Sequence, residues 1–143
     1  MYLNCHSYYS LRYGTIPVEK LVDEAVRCGV KALALTDINN STGIMEFIQV
    51  CNDKGVKPIA GMEFRRDDDL LYVGLARNNA GFRELNDFLS RHNIRKQPLP
   101  DRPEMLENVS WVLPLQGSGK REAGSEKNID TFATSLPHYL ILL

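Results

Sequence analysis

His6, Asp37 and Glu63 are the side chains whose types could act together on a substrate. One imidazole and two carboxylates supply enough donors for a single divalent metal ion. A histidine-rich metal cluster is short of ligands from the outset. The chain holds only three histidines, His6, His92 and His138, and no two are close in sequence. Each residue also has an ordinary reading. Asp37 can cap the loop that follows it, and His6 can hydrogen-bond the Ser/Tyr-rich turn just beyond. Glu63 can pair with Arg65 or Arg66. Tyr8, Tyr9 and Tyr13 read as packing rather than base stacking, Asp67 to Asp69 as a solvated turn, and His92 as a structural histidine.

For His6, Asp37 and Glu63 to converge, they must stand at the carboxyl ends of neighbouring strands, where α/β folds gather ligands. The apolar pattern supplies such strands. Met1 to Cys5, Lys31 to Leu35 and Val56 to Phe64 are short apolar runs that end near these residues. Between them, Val18, Leu21, Val22, Ala25 and Val26 draw one face of a helix, with Pro17 at its start and Gly29 past its end. Ile44, Phe47, Ile48 and Cys51 repeat that spacing, and Gly55 stops the second helix. Pro58 predicts an irregularity or an edge in the third strand.

No helix fits between Val56–Phe64 and Leu70–Ala76, so these runs predict an antiparallel hairpin around the Asp turn. Phe82, Leu85, Phe88, Leu89 and His92 mark a third helix, and Trp111 to Leu115 one more strand. The predicted order is β-α-β-α-β-β-α, an α/β architecture. Gly117 to Asn128 carries Gly, Ser and charge and reads as a flexible linker, followed by a hydrophobic stretch from Leu136 to Leu143.

Composition narrows the function further. The 143 residues make one ordinary domain, and 43% hydrophobic with 24% charged residues is a globular mixture. Seventeen basic against eighteen acidic residues give a net charge of −1, which excludes nucleic-acid binding by bulk charge alone. No apolar stretch approaches the ~20 residues of a membrane span, and no signal-peptide pattern opens the chain. A cytoplasmic protein without membrane partners is expected. Cys5, Cys28 and Cys51 form no CxxC pair and read as small hydrophobes in a reducing compartment. Phosphate-loop, GxGxxG, GxSxG and HExxH motifs are absent, and Gly117-Ser118-Gly119-Lys120 lacks the upstream glycine of a phosphate loop.

Four segments stand in order. They are CHSYYSLRYG (5–14), ALTDINNSTG (34–43), KPIAGMEFR (57–65) and LLYVGLARNNAGFRELNDFLSRHN (70–93). Together they resemble the PHP (polymerase and histidinol phosphatase) family, as found at the N-terminus of bacterial DNA polymerase III alpha subunits. The NCHSYYSLRYG and TDINN variants look like the Bacteroidetes type. The resemblance implies a distorted seven-stranded β/α barrel of the TIM-like kind. This chain would supply an incomplete part of it, with residues 1–116 as a partial PHP domain and 117–143 as a linker-like segment and tail.

Active members of the family hold two or three metal ions, usually zinc, manganese or iron, at one barrel mouth and hydrolyse phosphoesters. Their first motif, His-x-His, reads Asn4-Cys5-His6 here, and their Thr-Asp-His reads Thr36-Asp37-Ile38. Glu63 is kept, and the histidine expected early in the next strand is replaced by Leu71. An amide and two alkyl groups in place of imidazoles leave His6, Asp37 and Glu63 as remnant metal positions, with no catalytic residue expected. The resemblance therefore implies a noncatalytic, structural PHP domain of a replicative DNA polymerase, with no cofactor. Its partners would be the remainder of the alpha chain and, through it, DNA and other holoenzyme subunits. The alternative is a metal-dependent phosphoesterase, histidinol-phosphatase-like or a 3'-5' exonuclease, using zinc or manganese on a reduced site.

Overall fold

The computed structural model describes residues 1–114 in full and 139–142 as backbone. The Gly117–Asn128 segment and His138 lie outside the described residues. The elements are α1 (Val18–Arg27), β1 (Ala32–Leu35), α2 (Ile44–Lys54), β2 (Lys57–Arg66), β3 (Asp69–Ala76), α3 (Asn79–Arg95), β4 (Val109–Pro114) and β5 (Tyr139–Leu142). They form one open sheet in the order β1-β2-β3-β4-β5.

Local chemistry sets the helix ends. Val18, Val22 and Ala25 bury one face of α1, and Gly29 leaves the helix at φ +67°. Gly55 closes α2 in the left-handed conformation that costs glycine least. Asn78 caps α3 by accepting the Gly81 N–H at 2.9 Å. That helix runs on to Arg95, past the last predicted apolar position at His92.

β2 changes partner midway. Lys57 to Ala60 pair in parallel with Ala32 to Leu35 of β1, and Gly61 to Arg66 pair antiparallel with β3. Pro58 falls in the half where only β1 borders the strand, so its missing N–H leaves no ladder gap. β4 then pairs antiparallel with β3, and β5 parallel with β4.

The expected first strand is not a continuous ladder. Only Tyr2 bridges Leu33, although the Ala34 N–H donates to the Tyr2 carbonyl and the Thr36 N–H to the Cys5 carbonyl, both at 2.9 Å. The reason is local competition. The Cys5 N–H turns to the Thr36 hydroxyl at 3.0 Å instead of to backbone. The segment still covers the outer edge of β1.

One face of the sheet carries the helices. Val18, Val22, Leu33, Leu35, Ile44 and Phe47 belong to a core beneath α1 and α2. Met62, Phe64, Tyr72, Leu85, Phe88 and Trp111 belong to a second core beneath α3. In the latter, Tyr72 meets Trp111 edge-on at 5.2 Å, and Phe64 meets Phe88 edge-on at 5.3 Å. Ala34, Val73, Leu75 and Val112 form a third cluster on the opposite face, with Leu3, Ile59 and Leu70 against it. Strand alternation places Glu63 on this inner face, because its neighbours Met62 and Phe64 point to the helices.

Candidate functional site

Glu63 is the centre of the site. It lies in β2, and its backbone extends the parallel ladder beyond β1, with Ile38 bridging it. Its N–H donates to the Asp37 carbonyl at 3.2 Å, and its carbonyl accepts the Asn39 N–H at 2.8 Å. The side chain is fully buried. Oε2 accepts the Asn4 amide N–H at 2.8 Å and lies 3.0 Å from His6 Nε2. Oε1 accepts the Arg65 Nε–H.

Every oxygen of this carboxylate therefore faces a donor of the same chain. Burial alone would raise the Glu63 carboxyl. The hydrogen bonds from His6, Arg65 and Asn4, with the charge on His6, outweigh burial and hold it below the usual glutamate range. Burial lowers Arg65 in turn, and the Glu63 partner more than restores it, so its pKa is raised.

The donors are themselves held. The Thr36 hydroxyl donates to Asn4 Oδ1 at 2.6 Å, which turns the Asn4 amide nitrogen toward Glu63. The Arg65 guanidinium lies 4.5 Å over the Tyr13 ring, and its Nη1 donates to the Asp68 carbonyl at 3.2 Å. Tyr13 is fixed by donating its hydroxyl to Asp68 at 2.6 Å. Asn39, at φ +50°, clamps the Arg65 backbone from both sides. Its Oδ1 accepts the Arg65 N–H at 3.0 Å, and its Nδ2 donates to the Arg65 carbonyl at 2.8 Å. Arg66 points away and pairs with Asp101 at 2.7 Å.

Asp37 is fully buried and serves a different purpose. Its Oδ1 accepts the Ser7 N–H at 2.7 Å and the Ser10 hydroxyl at 2.6 Å, and its Oδ2 accepts the Ser7 hydroxyl at 2.7 Å. Ser10 Oγ in turn accepts the Ile38 N–H at 3.0 Å. Asp37 thus ties the loop after the N-terminal segment to the end of β1. The structure brings His6 and Glu63 together and commits Asp37 to Ser7 and Ser10. Sequence reasoning missed those two serines and Thr36. No local signal marks them, because the serines lie about 30 residues from Asp37 in sequence.

Leu71 occupies a special position. Phe64 pairs with Tyr72 and Arg65 with Leu70, so Leu71 is the extra residue of a β-bulge. It packs against the Phe64–Tyr72 core under α3, whereas Leu70 joins the inner-face cluster.

A two- or three-metal centre does not fit this donor set. Among the described residues, no three His, Cys, Asp or Glu side chains are grouped as ligands. The carboxylate oxygens of Asp37 and Glu63 are taken by N–H and O–H groups. Cys5 offers no reactive thiolate, since burial pushes its thiol pKa up. Among the described residues, no helix is long and apolar enough to cross a membrane.

The geometry agrees with a match of residues 3–118 to the PHP domain, and the chain belongs to that family. Among curated proteins it is homologous to DNA polymerase III alpha subunits. It is 31% identical to that of Vibrio cholerae over 134 residues, which covers 87% of this chain and 12% of the relative. The alpha subunit of Escherichia coli K12 matches with the same figures, 31% over 134 residues, 87% and 12%. That of Bacillus subtilis is 38% identical over 91 residues, 59% of this chain and 8% of the relative. The chain therefore spans 12% of the length of the first two relatives.

Two solved structures share the fold. An amidohydrolase from Chromobacterium violaceum, solved with sulfate and no metal, has a TM-score of 0.52 and 24% identity, covering 66% of this chain and 33% of that one. A protein from Bifidobacterium adolescentis named as a metal-dependent phosphoesterase has a TM-score of 0.51 and 19% identity, covering 66% and 32%. The fold is α/β and TIM-barrel-like, and among the described residues the barrel is incomplete.

Proposed function

We propose that the chain is the N-terminal PHP part of a DNA polymerase III alpha subunit of Bacteroidetes type, serving as a noncatalytic structural domain. The observation that carries this reading is that every carboxylate oxygen of Glu63 and Asp37 already accepts from the chain's own donors. Glu63, which accepts from Arg65 and Asn4, and Asp37, which accepts from the buried Ser7–Ser10 loop, organise strand tips. Three of the roughly four acceptor positions of each carboxylate face the chain's own groups. His6, Asp37 and Glu63 are remnant positions of a metal centre, with no resident metal and no catalytic role. Residues 1–116 act as the partial domain. The remainder of the alpha chain is its direct partner, and DNA and other holoenzyme subunits are reached through it, in the cytoplasm.

The test is elemental analysis of protein purified without chelator, paired with hydrolysis of bis-p-nitrophenyl phosphate in added zinc or manganese. The expected result is bound metal far below one equivalent and no turnover above buffer. One equivalent or more, with turnover abolished by Glu63→Gln, would establish the phosphoesterase reading instead.

A further inference from the structure

The misfit between the donor set and a metal centre has a specific cause. A buried carboxylate needs a compensating cation. Around Glu63 that cation is covalently part of the chain. We infer that the Arg65 guanidinium is the resident cation of this site, standing in for a metal ion and closing Glu63 to any metal. The inference rests on the noncatalytic reading and deepens it.

Two independent features support it. The first is how firmly Arg65 is placed. Glu63 Oε1 binds its Nε, Tyr13 lies beneath its guanidinium at 4.5 Å, and the Asp68 carbonyl takes its Nη1 at 3.2 Å. Asn39 holds the backbone N–H and carbonyl of the same residue. A solvated surface arginine would have none of these restraints, and only 18% of this side chain is exposed. The second is the orientation of Asn4. The Thr36 hydroxyl occupies Asn4 Oδ1, so Asn4 presents N–H to Glu63, a donor where a metal would need a lone pair. A metal ion would have to break the Arg65–Glu63 pair and then sit beside a guanidinium that never deprotonates.

The test compares four forms of the full 143-residue chain. They are the parent, Asn4→His, Arg65→Gln, and Asn4→His combined with Arg65→Gln. Zinc chloride binding is read by competition against a chromogenic chelator, and the thermal midpoint is measured with zinc and with EDTA. Arg65→Gln is expected to lower the midpoint. The double variant is expected to bind one zinc and to gain several degrees from it. The parent and Asn4→His are expected to be unmoved, with the double variant binding zinc about tenfold or more tightly than Asn4→His alone.

Should Arg65→Gln fail to fold, Asn4→His with Arg65→Lys keeps the positive charge and is expected to refuse zinc. Zinc binding by that variant, or equal binding by Asn4→His and the double variant, overturns the role of Arg65. So does an unchanged midpoint in Arg65→Gln. Refusal of zinc by a folded double variant also overturns it, and leaves the noncatalytic reading standing. Zinc uptake with turnover by the parent defeats the noncatalytic reading itself.

Discussion

Replacing Asp37 with alanine separates a loop latch from a metal ligand. The substitution strands one backbone N–H and two hydroxyls that now donate to the carboxylate at 2.6–2.7 Å. Ser7 and Ser10 are 0% and 1% exposed, so bulk water does not reach these donors in the parent. Each unsatisfied buried donor costs about 1–3 kcal/mol. The Ser7 N–H cannot rotate away. The two hydroxyls are anchored as acceptors of the Tyr9 and Ile38 N–H groups, at 3.2 and 3.0 Å.

Because the three bonds share one acceptor, their losses do not simply add, and about 3–5 kcal/mol is expected. That is a large part of ordinary domain stability and corresponds to a midpoint lowered by about 10–20 °C. Asp37→Asn keeps Oδ1 as acceptor for Ser7 N–H and Ser10, and should lose about 1–2 kcal/mol. The assay is urea unfolding followed by fluorescence of Trp111, the single and fully buried tryptophan. EDTA should leave the parent transition in place. A loss under about 1 kcal/mol in Asp37→Ala, or an EDTA effect on the parent as large as the mutation, would refute the reasoning.

Three other outcomes are expected. Glu63 has a folded pKa below its unfolded value. Its stabilisation is complete above the ordinary glutamate range and is lost as pH falls through the depressed value. Urea midpoints measured from neutral to acid pH should therefore fall less steeply in Glu63→Gln than in the parent. A Cβ added at Gly81 would stand 2.0 Å from the Asn108 carbonyl, which is held by the Arg77 N–H at 2.9 Å. Gly81→Ala should cost about 2–3 kcal/mol in chemical denaturation, despite the ~1 kcal/mol that alanine offers a helix. Trp111 Nε1 is buried without a partner among the described residues. Trp111→Phe, which removes that orphan donor, should cost about 1 kcal/mol against about 3–5 for Trp111→Ala, as measured by circular dichroism melts.

Helices and hairpin were legible because their signals are local. The 3.6-residue apolar spacing placed α1, α2 and α3, and two apolar runs around Asp67–Asp69 placed β2 and β3. The N-terminal strand was overcalled, since nothing in an apolar run shows that the Thr36 hydroxyl will take the Cys5 N–H. The convergence of His6 with Glu63 followed from the strand-end rule; the sequence left Arg65 and Arg66 open as partners of Glu63, and the structure selects Arg65, on the same strand face as residue 63. The fate of Asp37 was not legible. A carboxylate at a strand end looks the same in sequence whether it faces an ion or a pair of hydroxyls. Only the chain path between Ser7 and Ser10 decides it. The bulge at Leu71 was hidden for a similar reason, because register depends on the partner strand.

The divided pairing of β2 has a consequence for how this chain tolerates insertion. Its first four residues hold the register of β1, and its last six hold that of β3. A residue inserted near Ala60 would put the two pairings out of step, reverse the inside-outside order of one half relative to the other, and uncouple the two helix-covered cores. The same insertion between Gln97 and Pro98, both exposed and outside every strand, would lengthen a connection and leave both registers intact. Tags, linkers or a circular permutation belong at that connection, and the middle of β2 is the seam that must stay uninterrupted.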